Sequence, residues 1–355
     1  MNQPESPVYR QELLPTHFLE RAGDAYADRI AVVDGEIQYT WSEFRDRARR
    51  FASALKAQGL EKGDRIAFLA LNSEPMLLAH FGVPLAGGTL VSINTRVSTD
   101  EIAYILEQSG STKVFCSPEL MDQLPEVASG VSVFDTRDGL EGFLSHGTDD
   151  KVSTAGFHED DTMAINYTSG TTGRPKGVMY HHRGAYLNAL AMVLDQGLNA
   201  DSTYLWTLPM FHCNGWTFAW GVAAVGATSV CIPKIDPADV WRRFDEGVSH
   251  FCAAPTVLTM LANDPAAHRL MRPVRLFTAG APPSPTLIGQ MEALNFQFEH
   301  TYGLTETYGP CTINVPPLSL AGRHPEERSR HKARQGFGNV CCGEVSVLDE
   351  HMQPV

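Results

Sequence analysis

The sequence has no pair of cysteines at zinc-binding spacing. Its seven cysteines are an odd number among 355 residues, and most lie in apolar runs such as HFCAAP. A disulfide framework is therefore not indicated, and we expect reduced, buried thiols. The first residues, MNQPESPVYRQELLP, also lack the basic start and apolar stretch of a secretory signal and the Arg-rich pattern of a transit peptide. These absences favour a cytoplasmic protein.

A surplus of basic residues is absent as well. The chain has 28 Lys and Arg against 41 Asp and Glu, which gives a formal net charge of -13. This balance argues against a surface built for nucleic acid or anionic lipid. Residues 202–233 contain no Asp, Glu, Lys or Arg, yet Pro209, His212 and Asn214 interrupt them. We therefore predict a buried strand, turn, helix and strand there rather than a membrane span.

Apolar positions alternate between helical and strand spacing, which is typical of α/β proteins. Thr40 with Glu43, and Ser98 with Glu101, form capping boxes that predict the starts of two helices. The predicted strands are short and apolar: RIAFLA, KVFC, MAINY, TYLWTL, TSVCIP, SHFCAA and VRLFTAG. Such strands indicate a mostly parallel sheet covered on both faces. With 355 residues and 43% hydrophobic content, the chain can bury a large core, as two subdomains or as one large mixed fold.

Two polar segments are predicted to lack regular structure. Residues 122–159 are rich in Gly, Ser and Asp, so we expect an irregular connection between two α/β halves. A second break is expected at AGRHPEERSRHKARQG, residues 321–336. After it, GEVSVLDEHMQPV begins to alternate like a β-strand.

The stretch YTSGTTGRPKGVMYHH, from Tyr167 to His182, combines glycines, hydroxyls and one lysine without any acid ahead of that lysine. Glycines let backbone N–H groups approach a triphosphate, and a cationic side chain strengthens such a site. Lys176 is followed by Gly177, so the GxxxxGK[ST] pattern of Walker-type NTPases is absent. The stretch follows a predicted strand and precedes a helical pattern, where nucleotide sites commonly lie. His181 and His182 are predicted to begin that helix rather than to bind a metal.

YTSGTTGRPKG resembles the phosphate loop of the adenylate-forming superfamily, which includes acyl-CoA synthetases, luciferases and peptide-synthetase adenylation domains. Further segments resemble that family, from YTWSEF at Tyr39 to YGLTET at Tyr302. The resemblance implies that Lys176 acts as a point charge opposite the leaving diphosphate. It also implies that the following residues embrace the β- and γ-phosphates of ATP: Thr168, Ser169, Gly170, Thr171, Thr172, Gly173 and Lys176.

YGLTET supplies a second set of residues implied by the resemblance. Tyr302 would stack on the adenine and Thr305 would contact the α-phosphate. Glu306 would hold Mg²⁺, with Thr168 as a further candidate ligand, because a carboxylate is a hard oxygen ligand. Gly303 between them is assigned to both nucleotide and substrate binding.

Two further runs complete the implied site. TAGAP resembles the adenine-site segment, in which Gly280 and Ala281 let the base lie against the backbone. In LPMFHCNGW, His212 matches a histidine that lines the carboxylate end of the acyl pocket, so it is a candidate catalytic and substrate-binding residue. The neighbouring aromatic residues are candidates for the pocket wall or for ordinary core: Trp216, Phe218 and Trp220.

The resemblance implies ATP-dependent activation of a carboxylic acid to an acyl-adenylate, followed by transfer to coenzyme A. The implied acid is a short- or medium-chain fatty acid, a 3-methylthiopropionate-like acid or an aryl acid. ATP, Mg²⁺ and coenzyme A are the implied small molecules. Two alternatives stay open: a non-catalytic nucleotide- or acyl-binding module, and an adenylation domain that loads a carrier protein. The sequence also leaves open whether the chain forms a homodimer.

The fold implied by the resemblance is a layered αβαβα large domain built of two α/β subdomains. Residues 1–335 would form this core, and residues 336–355 would start a small β-barrel subdomain that is cut short. The family's ribose-binding Tyr-x-Thr-Gly-Asp segment, its hinge and its mobile C-terminal lid find no match in the sequence. We therefore expect an N-terminal fragment whose own thioester synthesis is impaired.

Overall fold

The structure is a computed structural model that describes residues 9–168 and 173–355. Within these residues the strands form one six-stranded and one nine-stranded sheet. The strands are β1 (Ile30–Asp34), β2 (Ile37–Thr40), β3 (Arg65–Leu69), β4 (Thr89–Ser92), β5 (Lys113–Cys116), β6 (Ser132–Asp135), β7 (Thr162–Thr168), β8 (Lys176–His181), β9 (Thr203–Trp206), β10 (Thr228–Cys231), β11 (His250–Cys252), β12 (Val274–Thr278), β13 (Phe296–Leu304), β14 (Gly309–Ile313) and β15 (Phe337–Gly338).

Helices connect most of these strands. The α-helices are α1 (Thr16–Ala25), α2 (Trp41–Ala57), α3 (Glu74–Ala86), α4 (Thr99–Ser109), α5 (Asp138–Leu144), α6 (His182–Gln196), α7 (Cys213–Trp216), α8 (Phe218–Val225), α9 (Pro237–Asp245), α10 (Pro255–Ala262), α11 (Pro285–Ala293) and α12 (Pro325–Lys332). Short 3₁₀ helices occupy Pro118–Gln123, Thr305–Thr307 and Leu318–Leu320. Among the described residues, no helix combines the length and the apolar character that crossing a membrane requires.

The six-stranded sheet has the order β6-β5-β3-β4-β7-β8. Its strands are parallel except at one edge, where β8 runs antiparallel to β7. The nine-stranded sheet has the order β15-β14-β13-β12-β11-β9-β10-β1-β2, with a parallel centre and antiparallel strands at both ends. Since β1 pairs with β10, this sheet combines the amino-terminal part of the chain with residues almost two hundred positions later.

Three groups of buried side chains show how the layers stack. The central group joins the inner faces of both sheets through residues such as Phe51 of α2, Phe68 of β3 and Trp206 of β9. A second group packs α4 against the outer face of the six-stranded sheet. A third packs helices α9 to α11 against the outer face of the nine-stranded sheet. The layered αβαβα arrangement of two α/β subdomains is thereby confirmed.

Several local predictions are confirmed. Thr40 with Glu43 and Ser98 with Glu101 form complete capping boxes at the starts of α2 and α4. His181 is the N-cap of α6, and its ring nitrogen accepts the Gly184 backbone N–H at 2.9 Å. The uncharged stretch of residues 202–233 forms β9, a turn, α8 and β10, as its interrupted pattern predicted.

The predicted irregular segments are partly wrong. Residues 122–159 contain β6, which extends the six-stranded sheet, and α5, which packs on α2. Residues 321–336 contain α12, which packs on α11 and β13. Short sequence windows rich in Gly, Ser and charged residues did not reveal these elements, because tertiary contacts stabilise them.

The carboxyl-terminal strand prediction is wrong. Within GEVSVLDEHMQPV the described pairing is a single bridge between Leu348 and Pro354. Val345 and Val347 are exposed, so the alternating pattern has no sheet to bury it. The described residues form no closed barrel, and the two-residue strand β15 instead joins the edge of the nine-stranded sheet.

The cysteine prediction needs one correction. All seven cysteines are free, and five are buried as expected: Cys116, Cys213, Cys231, Cys252 and Cys311. Cys341, however, is exposed, and Cys342 is partly exposed. Both lie after β15, outside the apolar runs that led to the prediction.

Candidate functional site

The two ends of the predicted phosphate loop lie side by side. Across the antiparallel pair β7–β8, Thr168 is directly opposite Lys176. Lys176 is exposed at the sheet edge, and Gly173 has a φ of +92° that favours glycine. Ser169, Gly170, Thr171 and Thr172 lie outside the described residues. The strand pairing therefore places the lysine next to the hydroxyl that leads into the loop.

The predicted adenine-site segments lie at one level of the nine-stranded sheet. Thr278 at the end of β12 pairs with His300 of β13, and Gly280 and Tyr302 each follow this pair by two residues. Gly280 has a φ of +86°, and a Cβ built on it would meet no atom within 4 Å. Tyr302 is 42% exposed and Ala281 is exposed. The carboxyl ends of β12 and β13 thus offer an aromatic ring and open backbone side by side, which suits the binding of a flat base.

Hydrogen bonds join this segment to the strand that carries Lys176. The Tyr180 hydroxyl of β8 donates to the Thr305 carbonyl oxygen at 2.6 Å. The rings of Tyr180 and Tyr308 pack with centroids 4.1 Å apart, and the His181 backbone N–H donates to the Tyr308 hydroxyl at 3.2 Å. Burial raises the pKa of Tyr180, so its hydroxyl stays a neutral donor. The edge of the six-stranded sheet is thereby fixed to the 3₁₀ helix Thr305–Thr307, which we call the Thr305 turn.

The segment after His212 has an unusual backbone. Five consecutive residues, Cys213 to Thr217, all have φ between +42° and +63°; α7 is therefore not a regular right-handed helix, and we call this segment the left-handed turn. A left-handed backbone costs roughly 1–2 kcal/mol for an L residue other than glycine. Gly215 is required for a second reason, since a Cβ there would lie 2.5 Å from the Trp206 ring. Such strain persists only where surrounding contacts enforce it, and it often marks functional sites.

The left-handed turn brings Cys213, the residue after His212, close to the Thr305 turn. Cys213 Sγ lies 3.4 Å from Thr305 Oγ1 and 3.9 Å from His212 Nε2. Burial, and to a lesser degree the negative charge of Glu306, raises the pKa of the Cys213 thiol. The thiol is therefore protonated near neutral pH and is a poor nucleophile.

The His212 side chain is exposed to solvent. Desolvation by neighbouring protein atoms, followed by the positive charge of Arg96, lowers the pKa of His212 below its usual value. The imidazole is consequently neutral near pH 7, so it can donate or accept a hydrogen bond without carrying a charge.

The aromatic residues after His212 are buried, and the assignment of Trp216 to the acid pocket stays a prediction. Phe218 and Trp220 are fully buried, and Trp220 Nε1 donates to the His80 carbonyl oxygen at 3.0 Å. Trp216 is also buried, and a Cβ added to Gly309 would lie 3.2 Å from its ring. Gly303 lies directly against the start of β14, because a Cβ built on it would lie 1.8 Å from the Gly309 carbonyl oxygen.

The donor atoms near the phosphate loop fit Mg²⁺ bound together with a nucleotide. Glu306 offers an exposed carboxylate and Thr168 a partly exposed hydroxyl. Among the described residues no group of three or more His, Cys, Asp and Glu could hold a metal ion alone. Mg²⁺ commonly uses one or two protein carboxylates and completes its octahedron with phosphate oxygens and water.

Sequence reasoning missed four residues that hold the predicted motifs in place through contacts with other elements. Asn166, Tyr180, Asn214 and Tyr308 make buried hydrogen bonds or ring contacts with the motifs. Asn166 and Tyr180 lie within strands, and nothing in a local pattern tells which strand residue will face another sheet. The one available signal was HCNGW, where Asn and Gly stand together and can both adopt positive φ.

Two layered α/β sheets with a glycine-rich segment at the strand ends define a nucleotide-binding type of protein. The chain belongs to the AMP-binding enzyme family, whose pattern it matches over residues 19–355. This assignment agrees with the resemblance that the motifs indicate.

The relatives of the chain include named CoA ligases. The 4-hydroxybutyrate–CoA ligase 2 of Metallosphaera sedula is 40% identical over 97% of the chain and 66% of its own length. The acetate/butyrate–CoA ligase AAE7, peroxisomal, of Arabidopsis thaliana is 35% identical over 98% of the chain and 66% of its own length. The chain thus spans 66% of the length of each of these two relatives.

A solved structure has the same fold. The inhibitor-bound N-terminal domain of FACL13 from Mycobacterium tuberculosis superposes with a TM-score of 0.85 and 27% sequence identity. The match covers 96% of this chain and 86% of that domain.

Proposed function

We propose that this chain carries the nucleotide- and acid-binding core of an AMP-forming acid–CoA ligase. In the first step an oxygen of the acid's carboxylate attacks the α-phosphorus of ATP, and diphosphate leaves. In the second step the thiol of coenzyme A attacks the carbonyl carbon of the acyl-adenylate, and AMP leaves with the bonding electrons. Membership of the AMP-binding enzyme family and the CoA ligases among the relatives support this proposal.

The observation that carries the proposal is the convergence of three segments. The Thr168–Lys176 pair, the Thr305 turn and His212 come from three distant parts of the sequence. Tyr180 and Cys213 connect them through contacts of 2.6 and 3.4 Å with Thr305. A reaction that needs no protein nucleophile requires mainly such positioning of two substrates and neutralisation of charge.

Each exposed group suits one task in this reaction. Lys176 opposes the charge of the departing diphosphate, and the Thr305 hydroxyl is a neutral donor for the α-phosphate. Tyr302, with Gly280 and Ala281, receives the adenine. Glu306, with Thr168, would hold Mg²⁺, which supplies charge neutralisation for the phosphates. Neutral His212 would face the acid's carboxylate and donate a hydrogen bond to it without carrying a charge.

The proposed acid is a short-chain carboxylic acid. The relative from Metallosphaera sedula is named for 4-hydroxybutyrate, and the relative from Arabidopsis thaliana is named for acetate and butyrate. Butyrate and 4-hydroxybutyrate are therefore the first substrates to test, with benzoate as an aryl comparison.

Isothermal titration with MgATP tests the nucleotide half of the proposal. We expect measurable binding by the 355-residue chain and an affinity at least about tenfold lower for Lys176→Ala and Glu306→Ala, because charge-assisted contacts to phosphate are strong. Lys151→Ala removes an exposed lysine outside the site and should bind like the wild type. Equal binding by all four proteins would contradict the assignment of Lys176 and Glu306.

Diphosphate release tests the acid half. We expect release that depends on butyrate or 4-hydroxybutyrate, and consumption of the adenylate when coenzyme A is added. MgATP binding without diphosphate release for any acid would favour a nucleotide-binding module instead. Adenylate formation followed by no reaction with coenzyme A would favour a carrier-protein thiol as the acceptor.

A further inference from the structure

A buried pair of amides joins the strand that leads into the phosphate loop to the left-handed turn. Asn166 lies on β7, two residues before Thr168, and Asn214 is the second residue of the turn. Asn166 Nδ2 donates to Asn214 Oδ1 at 2.5 Å, and the Asn214 backbone N–H donates to Asn166 Oδ1 at 3.1 Å. The residues are 2% and 0% exposed. Two reciprocal hydrogen bonds, shielded from water, therefore connect the two motifs.

The neighbouring strand extends this connection. Ser92 Oγ, at the end of β4, lies 3.3 Å from Asn166 Oδ1 and 3.3 Å from the Phe211 carbonyl oxygen, directly before His212. Phe211, two residues before the left-handed turn, is thus linked through Ser92 to β4 and β7, two adjacent strands of the six-stranded sheet. Buried polar groups in such a network are costly to leave unpaired, so the network strongly favours one arrangement.

The far end of the left-handed turn is held by a different element. Asn188 of α6 donates to Thr217 Oγ1 at 3.1 Å and to the Tyr308 carbonyl oxygen at 3.0 Å. The turn therefore has one buried asparagine at each end. Only Asn166 lies on the strand that also carries Thr168, and only the Asn166 contact is adjacent to Cys213 and His212.

We propose that Asn166 and Asn214 are positioning residues that hold the left-handed turn. In this role they keep His212 and Cys213 against the Thr305 turn, in a fixed place relative to the phosphate-loop strand. The functional meaning rests on the proposed function, in which His212 receives the acid and the loop receives ATP. Neither asparagine is assigned a contact with substrate. Loss of the pair should release the turn and impair use of the acid, while leaving the exposed nucleotide contacts in place.

Thiol labelling tests the mechanical part of this proposal without any ligand. Cys213 is buried only while the turn keeps its place, so its reaction rate with N-ethylmaleimide reports opening of the turn. Peptide-resolved mass spectrometry would compare the wild type with Asn166→Ala and with the matched variant Asn188→Ala. We expect Cys213 to react at least about tenfold faster in Asn166→Ala than in Asn188→Ala, because a buried hydrogen-bond network is lost next to the thiol.

Two other cysteines serve as internal references. Buried Cys252 should stay unreactive in every variant unless the whole fold opens, and exposed Cys341 should react at the same rate in the wild type and in Asn166→Ala. If Asn166→Ala does not fold, Asn214→Gly replaces it, since glycine tolerates the positive φ while the amide is removed. Equal Cys213 rates in wild type, the Asn166 or Asn214 variant and Asn188→Ala would overturn the proposal.

A kinetic comparison separates positioning from general weakening of β7. For Asn166→Ala we expect the KM for butyrate in diphosphate release to rise about tenfold, with MgATP affinity within about twofold of wild type. An equal loss of MgATP affinity would show that the strand itself is damaged and would overturn the positioning role. If wild-type protein binds no MgATP, the proposed function fails, and the labelling comparison alone decides whether the pair holds the turn.

Discussion

The candidate site has two sides that differ in exposure and in bonding. The exposed side consists of residues at strand ends that solvent can reach: Lys176, Gly280, Ala281, Tyr302 and Glu306. The buried side consists of residues held by hydrogen bonds or packing contacts with other elements: Asn166, Tyr180, Cys213, Asn214 and Tyr308. The first set suits contact with a ligand and the second suits support of the first. Substitutions on the exposed side should therefore change ligand affinity, and substitutions on the buried side should lower the free energy of unfolding.

Positive φ angles are found on both sides, but only on the buried side do they fall on residues other than glycine. Gly280 has a positive φ in open space, where no neighbouring atom enforces it. The left-handed turn of Cys213 to Thr217 instead includes four residues other than glycine and is enclosed by Trp206, Gly309 and buried asparagines. Close packing can impose an unfavourable backbone on residues that would not adopt it alone.

The largest expected effect comes from Gly303, compared with Gly280. The sequence motifs assign both glycines to nucleotide binding. In Gly303→Ala the new Cβ would lie 1.8 Å from the Gly309 carbonyl oxygen, so β13 and β14 must separate. We expect the free energy of unfolding to fall by about 3 kcal/mol or more. Gly280→Ala has free space and should cost only about 1–2 kcal/mol through its positive φ. Urea unfolding measures both, and similar losses would contradict the distinction between the two sides.

The next effect concerns pH and the histidine that follows β8. Burial, partly opposed by Asp161, lowers the pKa of His182 to about 4. The ordinary pKa is near 6.5, so the unfolded chain binds a proton in the window between these values that the folded chain does not. The free energy of unfolding therefore falls as pH falls from about 6.5 towards 4, by up to about 3 kcal/mol for this residue.

Substitution of His182 isolates this contribution. Between pH 7 and 4.5, His182→Gln should lose about 2 kcal/mol less stability than the wild type. Exposed His268, whose pKa is raised by its contacts with Ala266 and Asp245, is the control, and His268→Gln should not reduce the acid loss. Identical pH profiles for wild type and His182→Gln would show that the buried imidazole is protonated without cost.

The smallest effect compares two tyrosines. Tyr180→Phe leaves the Thr305 carbonyl oxygen without its donor and should lower the free energy of unfolding by about 1 kcal/mol. Tyr302 is 42% exposed, so Tyr302→Phe should change stability by less than about 0.5 kcal/mol. Thermal unfolding of both variants measures the two losses of stability. A larger loss for Tyr302→Phe would reverse the assignment of the two sides.

Much of the fold was predictable from local pattern. The capping boxes at Thr40 and Ser98 and the apolar strands after them predicted α2, α4, β3 and β5. Helix caps and apolar strand runs depend on neighbouring residues, so sequence windows contain the necessary information. Strand β6 and helix α12 were missed, since β6 has only four residues, α12 is almost entirely polar, and both are stabilised by packing on distant elements.

The candidate site divides in the same way. Glycines, hydroxyls, a lysine and a carboxylate form recognisable runs, because chemistry that meets a phosphate requires particular residue types at close spacing. The roles of these residues remain predictions that the titrations above test. The supporting pair Asn166–Asn214 was not predictable, since its partners are 48 positions apart and lie on different elements.

The α/β class and the residue types at the phosphate-loop and YGLTET motifs follow from the amino-acid sequence alone, because these depend on residue type and short spacing. Which strands share a sheet, the pairing of β1 with β10 and the contact of Tyr180 with Thr305 are visible only in the folded chain. The same is true of the left-handed conformation after His212. These features arise from contacts between distant residues, and their combined hydrogen bonding and packing outweigh the local backbone preferences that a sequence window expresses.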